Sequence, residues 1–123
     1  MATVTMTSKL SEDLEPVKFY DLKIMLDDAK IGYVEIYIGY DDDGDETYTF
    51  VKTIDIDEEH RNHGYGTQVL KTLADEHDGI YLCPDNDDAE RLYARLGDEV
   101  DYAHCPDALE GEMDEYGTMY HIA

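Results

Sequence analysis

The apolar residues of this chain change period once, and that change fixes which folds are open to it. VKFYDLKIML (17–26), IGYVEIYIGY (31–40) and ETYTFVKTIDID (46–57) are rich in β-branched and aromatic residues, the composition of strands. DDAK (27–30) reads as a short turn, so the first two runs make a hairpin. DDDGDE (41–46) makes the next turn, with Gly44 suited to positive φ. The pattern then becomes helical. In TQVLKTLADEH (67–77), Val69, Leu70, Leu73 and Ala74 fall on one face of a helix starting near Thr67. Asp78 and Gly79 break it, and GIYLC (79–83) has the look of a short buried strand.

A second helix follows, with clearer boundaries. Asn86 suits an N-cap, and Asp87 and Asp88 suit the positive end of the helix dipole. Ala89, Leu92, Tyr93 and Leu96 recur at i, i+3, i+4, i+7, and Gly97 comes after the last of them. EVDYAHC (99–105) and YGTMYHI (116–122) read as closing strands around a loop holding Pro106 and Gly111. The strand–helix–strand unit predicts a right-handed parallel crossover with antiparallel strands on either side. The fold class is therefore α/β: a mixed, mostly antiparallel sheet of about six strands with two principal helices. Residues 1–16 form an N-terminal segment, with at most one short helix near SEDLE, and residues 17–123 form a single domain.

Composition narrows the function. The 123 residues suffice for one real core, and 42% hydrophobic content with eleven tyrosines is that of a globular chain. Thirty-one acids face nine lysines and arginines, for a formal net charge of −22, and cluster in DDDGDE (41–46), DEE (57–59) and DNDD (85–88). Direct binding to a nucleic-acid backbone is disfavoured, because such affinity comes from neutralising phosphates with Lys and Arg. Three readings of the charge stay open: solvation in salt, attraction of a cationic partner, or imitation of a nucleic acid. No run approaches ~18 apolar residues, so no membrane helix is expected. The N-terminal stretch has acids where a signal peptide needs an apolar block, and Cys83 and Cys105 show no metal or redox spacing. These features point to a cytoplasmic protein without a metal. Cys83, His104, Cys105 and His121 match no metal motif either.

HRNHGYGTQVL (60–70) is the exception in an acidic chain. It places Arg61, then Gly64 and Gly66, between a strand and a helix. A helix N-terminus leaves backbone N–H groups unpaired and carries positive potential, and glycine lets a ligand approach closely. The arrangement suits an anion such as a pyrophosphate. Neither a Walker loop nor GxGxxG is present. A plain strand-to-helix turn would use the same two glycines.

The run Arg61, Asn62, His63, Gly64, Tyr65, Gly66 resembles the Gln/Arg-x-x-Gly-x-Gly/Ala signature of the GCN5-related N-acetyltransferase (GNAT) superfamily. Asn86, Ala89, Leu92, Tyr93, Leu96 and Gly97 resemble the family's Asn-x-x-Ala-x-x-Leu-Tyr-x-x-Leu-Gly helix, and the two signatures stand in the family's order. The resemblance covers roughly residues 31–105 and implies the GNAT fold with acetyl-coenzyme A (acetyl-CoA) as cofactor. It implies that the amides of residues 61–66 bind the pyrophosphate with Arg61 assisting, and that the thioester enters near Ile54 to Ile56 and Ile80 to Cys83. Backbone groups of Asp55 or Ile56 would pair with the pantetheine amides, and Asn86 would touch the cofactor. Tyr93 would protonate the departing thiolate, as a phenol with a pKa near 10 can. Each has a plainer reading: Asn86 as a cap, Tyr93 as a core tyrosine, Arg61 in a surface ion pair. The general base stays open among Asp55, Glu46, Glu35, His104 and His121.

The chain departs from the family pattern in two places. Asp98 stands where an aromatic is usual. The two helices that normally follow the first strand have no sequence to form them, so the N-terminal helical region is reduced. That leaves the acceptor side open or completed by a partner subunit, as in a homodimer. Overall charge favours a cationic acceptor amine: a polyamine, an aminoglycoside or a protein lysine. The competing class is an acidic binding or inhibitory protein on the same scaffold, which mimics nucleic acid or blocks a basic partner.

Overall fold

The computed structural model describes residues 4–123. Seven strands form one sheet in the order β1-β2-β3-β4-β5-β7-β6. They are β1 (Val4–Leu14), β2 (Val17–Leu26), β3 (Ala29–Tyr40), β4 (Glu46–Ile56), β5 (Ile80–Leu82), β6 (Asp98–Glu99) and β7 (Tyr120–Ile122). The helices are α1 (Tyr65–Glu76), α2 (Asp87–Leu96) and α3 (Glu110–Tyr116). β1 to β4 are an antiparallel meander, β4 and β5 are parallel, and β7 runs antiparallel between β5 and β6. The mixed, mostly antiparallel sheet expected from the sequence is what forms. No described helix is long and apolar enough to cross a membrane.

Alternation along the strands gives the sheet two different faces. Leu22, Ile24, Val34, Ile36, Val51, Ile80 and Leu82 point to one face, where Val69, Leu70, Leu73 and Ala74 of α1 and Tyr93 of α2 cover them. The opposite face is covered at one end only. There Phe19, Tyr37 and Phe50 stack across three strands, with ring centroids 5.3 and 5.0 Å apart. Val100, Cys105, Leu109 and Met119 pack over them.

Four expectations are corrected. The segment with SEDLE is not helical but belongs to β1, paired with β2 from Val4↔Leu26 to Leu14↔Val17. Val4 and Met6 give the reason, since both pack against the core under α1. The run 99–105 is not a strand. Pairing with β7 stops at Glu99, Val100 N–H donates to Met119 O at 2.8 Å, and Tyr102–His104 is a 3-10 turn. Val100 and Cys105 are drawn over the aromatic stack, which pulls the chain off the sheet edge. The stretch with Pro106 and Gly111 is a 3-10 turn and α3 rather than a loop, and Gly117, at φ 82, ends α3 in the left-handed conformation that glycine favours. Only Tyr120–Ile122 of the last expected strand pairs.

Candidate functional site

β4 and β5 pair only at Phe50↔Tyr81 and Val51↔Leu82. β5 then ends while β4 continues to Ile56, so the strands part toward their carboxyl ends. A bulge marks the parting. Glu35 and Ile36 of β3 face Thr53 and Val51 of β4, which leaves Lys52 as the extra residue. Beyond it, alternation decides which main-chain groups face the gap. Asp57 N–H donates to Ile31 O at 2.7 Å, on the β3 side, so the preceding Ile56 carbonyl points the other way. Arg61 Nε donates to that carbonyl at 2.7 Å. Asp55 turns its carbonyl toward Gly32, so closely that a Cβ on Gly32 would lie 2.2 Å from it. The main-chain groups left facing the gap are those of Ile54 and the Ile56 N–H, not those of Asp55. The Asp55 carboxylate instead pairs with Arg61 Nη2 at 3.0 Å.

Two helix N-termini border the gap, and they differ. Asn86 caps α2, its Oδ1 accepting from Ala89 N–H at 2.8 Å, and Asp87, Asp88 and Glu90 occupy the first turn. That terminus is capped by its own chain and carries acids of its own. α1 begins at Tyr65, two residues before the sequence periodicity placed it, with no side-chain cap and no acid in its first turn. Among the described residues, no acceptor takes the amides of residues 62–67; the first intrahelical bond runs from Gln68 N–H to Gly64 O at 3.1 Å. Asn62 (φ 65) and Gly64 (φ 80) are both left-handed, a conformation from which runs of N–H groups form anion-binding nests. His63 is exposed, with its ring 5.7 Å from that of Tyr65. A Cβ on Gly66 would meet nothing nearer than Ile56 Cγ1 at 4.0 Å, so internal packing does not require glycine there.

Tyr93 is buried on the face of α2 that meets the core, edge-on to Tyr120 at 6.4 Å. No described residue hydrogen-bonds to its hydroxyl. Burial pushes its pKa up to about 12, and the charges of Asp85 and Cys83 add to the effect. The phenol is thus near the carboxyl end of β5. Sequence reasoning missed the carboxylate on the other side: Tyr37 Oη donates to Glu112 Oε1 at 3.1 Å. Its only signal was an acid in a stretch read as loop. Burial, with Glu112 second, raises the Tyr37 pKa strongly, so this phenol stays a donor. The base candidates separate by position. Glu46 lies at the far end of β4 with His77, 3.2 Å away, and His104 is surface-exposed beside Asp101. His121 lies tilted against Tyr81, ring centroids 4.7 Å apart, one strand beyond the gap. Glu35 lies directly across from Thr53, on the splayed part of β4.

The family model for the acetyltransferase (GNAT) family matches residues 5–98, most of the chain. The chain belongs to this family. No curated protein matches it. Among solved structures it is similar to Arabidopsis thaliana Naa50 in complex with the bisubstrate analogue CoA-Ac-MVNAL, with a TM-score of 0.53 and 16% identity over 83% of this chain and 70% of that chain. At that identity the likeness is one of fold, and the mixed sheet is the GNAT fold. The cofactor of this GNAT protein is acetyl-CoA, and its chemistry is acetyl transfer. The residues present fit that cofactor: a helix start free of caps and acids, and a glycine with open space over it.

Among the described residues, the one cluster with metal-ligand spacing is Asp41, Asp43 and Asp45, in the turn after β3. Asp41 Oδ1 there accepts from the amides of Asp43 and Asp45 at 2.9 and 3.0 Å, as a turn-forming aspartate does.

Proposed function

We propose that this protein is an N-acetyltransferase that moves the acetyl group of acetyl-CoA to a primary amine. The observation that carries the reading is the bare start of α1 in a chain with 31 acids. Uncapped amides and the absence of acid there suit an anionic ligand. In this reading the amides of residues 62–67 hold the pyrophosphate, Gly66 admits it, and Arg61 and His63 flank it. Arg61 keeps donors for this after serving Asp55 and Ile56 O. Ile54 and the Ile56 N–H pair with the pantetheine amides, and Asn86, at the start of α2, forms the far lip.

When bound, acetyl-CoA supplies an acyl group activated as a thioester. A neutral amine nitrogen would take that acyl group, with the thiol of CoA as the leaving group. Tyr93 holds a proton at Oη for the sulfur, from the helix-covered face. Glu35, on the opposite face, takes the proton of the acceptor nitrogen. Attack and departure thus use opposite sides of the sheet. Overall charge taken alone would admit a polyamine, an aminoglycoside or a protein lysine as the acceptor; the charges local to the site choose among amines.

Thermal melting with and without acetyl-CoA tests the reading. At 100 times its dissociation constant the ligand stabilises the fold by ~2.7 kcal/mol. The expected outcome is a clear rise in Tm, with thiol release once an amine is added. No shift at millimolar cofactor across salt conditions would overturn the reading and favour the acidic binding protein.

A further inference from the structure

β1 passes directly into β2 through Glu15 and Pro16, so no helix lies between them to cover the sheet. The face opposite α1 and α2 is therefore bare beyond the aromatic stack. Two cross-strand rows cross it. One runs Lys9↔Asp21↔Glu35↔Thr53, the other Thr7↔Lys23↔Tyr33↔Asp55. Directly opposed residues share a face, so these side chains stand together. All of them but Thr53 and Asp55, together with Lys30, line a depression of about 480 Å³, the size of a small-ligand pocket. Three of the chain's nine basic residues are gathered there, and none of the three forms an ion pair with a described residue, although acids outnumber bases 31 to nine. The rows end at Thr53 and Asp55, on the part of β4 that has left β5.

Lys9, Lys23 and Lys30 stand on β1, β2 and β3, with Asp21 opposite Lys9, while Glu35 and Asp55 stand on β3 and β4 toward the gap. We propose that this face binds the acceptor, and that the acceptor is an amine that also bears a carboxylate or phosphate. The inference rests on the acetyltransferase reading and narrows its acceptor class. Glu35 faces the amine, while Lys23 and Lys9, one and two strands away, hold the anion, with Lys30 at the start of β3 beside them. Strands lie ~4.8 Å apart, so amine and anion are separated by roughly 5–10 Å. Polyamines and unmodified aminoglycosides lack the second group. A lysine or terminal amine of a peptide with a neighbouring acid has it, as does a phosphorylated amino sugar.

The test measures thiol release with paired acceptors: a lysine peptide flanked by glutamate against one flanked by alanine, and glucosamine 6-phosphate against glucosamine, with spermidine as the anion-free cation. The expected result is at least a tenfold higher kcat/KM for an anion-bearing member of a pair, through KM; the pair that shows it distinguishes carboxylate from phosphate. In Lys9→Gln/Lys23→Gln/Lys30→Gln that ratio falls toward one, and the corresponding arginine variant restores it. Equal ratios, preference for spermidine, or a ratio unchanged in the glutamine variant would overturn the proposal. Amide chemical shifts of Thr7, Lys9, Lys23 and Tyr33 on titration with inorganic phosphate or glutamate report on the face without turnover. Movement in wild type that is lost in the glutamine variant supports the anion site, and no movement overturns it. A missing Tm shift with acetyl-CoA would instead count against the acetyltransferase reading alone.

Discussion

Gly64 and Gly66 are glycines for different reasons, and substitution separates them. Gly64, at φ 80, needs the left-handed region, although a Cβ there would touch nothing. Gly66 lies in the first turn of α1 with open space over it. In a helix, alanine is favoured over glycine by about 0.5–1 kcal/mol. Gly66→Ala is therefore expected to raise the Tm of the ligand-free protein while weakening acetyl-CoA binding at least tenfold by calorimetry. A structural glycine would lose stability instead. At Tyr93 the phenol is a weaker acid than the sequence implies, because burial lifts its pKa to about 12. The donor stays protonated across the working range of pH but gives up its proton less readily. Tyr93→Phe is expected to bind acetyl-CoA normally and to lower kcat at least tenfold. The same shift fixes the sign of a stability effect. The folded state holds this proton more tightly than the unfolded state, so the contribution is complete below pH ~10 and is lost as pH rises toward ~12, on the order of 2–3 kcal/mol. Alkaline unfolding followed by circular dichroism should show a smaller loss over that window for Tyr93→Phe.

Among the elements, α1 and α2 show how one sequence rule serves two ends. Both were legible from period and punctuation, because a helix that buries one face must repeat its apolar residues. Their N-termini differ in chemistry: α2 is capped by Asn86 and three acids, and α1 is left bare. Asn86→Ala is expected to cost about 1 kcal/mol in denaturant unfolding even without ligand, because the Ala89 amide loses its acceptor. A loss of cofactor affinity with unchanged stability would make Asn86 a ligand contact rather than a cap. The elements that sequence reasoning misread are those whose shape depends on remote partners. β1 is mostly exposed, and only Val4 and Met6 under α1 commit it to the sheet. The run 99–105 alternates like a strand, but Val100 and Cys105 find better burial over Phe50 and Met119. The bulge at Lys52 left no mark in the sequence, because it arises from the pairing of β3 with β4.

Over the whole molecule, a net charge of −22 opposes an anionic cofactor. Screening decides how far. The Debye length is ~8 Å at physiological salt, so distant carboxylates count for little, and the balance near α1 sets Arg61, His63, Lys71 and free amides against Asp57, Glu58 and Glu59. Acetyl-CoA affinity is accordingly expected to hold or rise between low and moderate salt, measured by calorimetry. A steep fall would mean that attraction, not repulsion, dominates. The overall charge also misleads about the acceptor face, because the lysines of three separate strands meet there. Lys9, Lys23 and Lys30 lie far apart in sequence, and nothing in their spacing shows that they share a face.

The sequence alone determined the order of elements from β2 to α2, the two signatures at residues 61–66 and 86–97, and the family they belong to, because hydrophobic period and glycine placement act locally. Only the tertiary structure decided that β1 joins the sheet with no helix after it, that Arg61 is held by Asp55 and Ile56, and that Glu112 bonds to Tyr37. Those outcomes depend on which segments compete best for the same buried surface. That competition is settled between residues distant along the chain, where no local pattern records it.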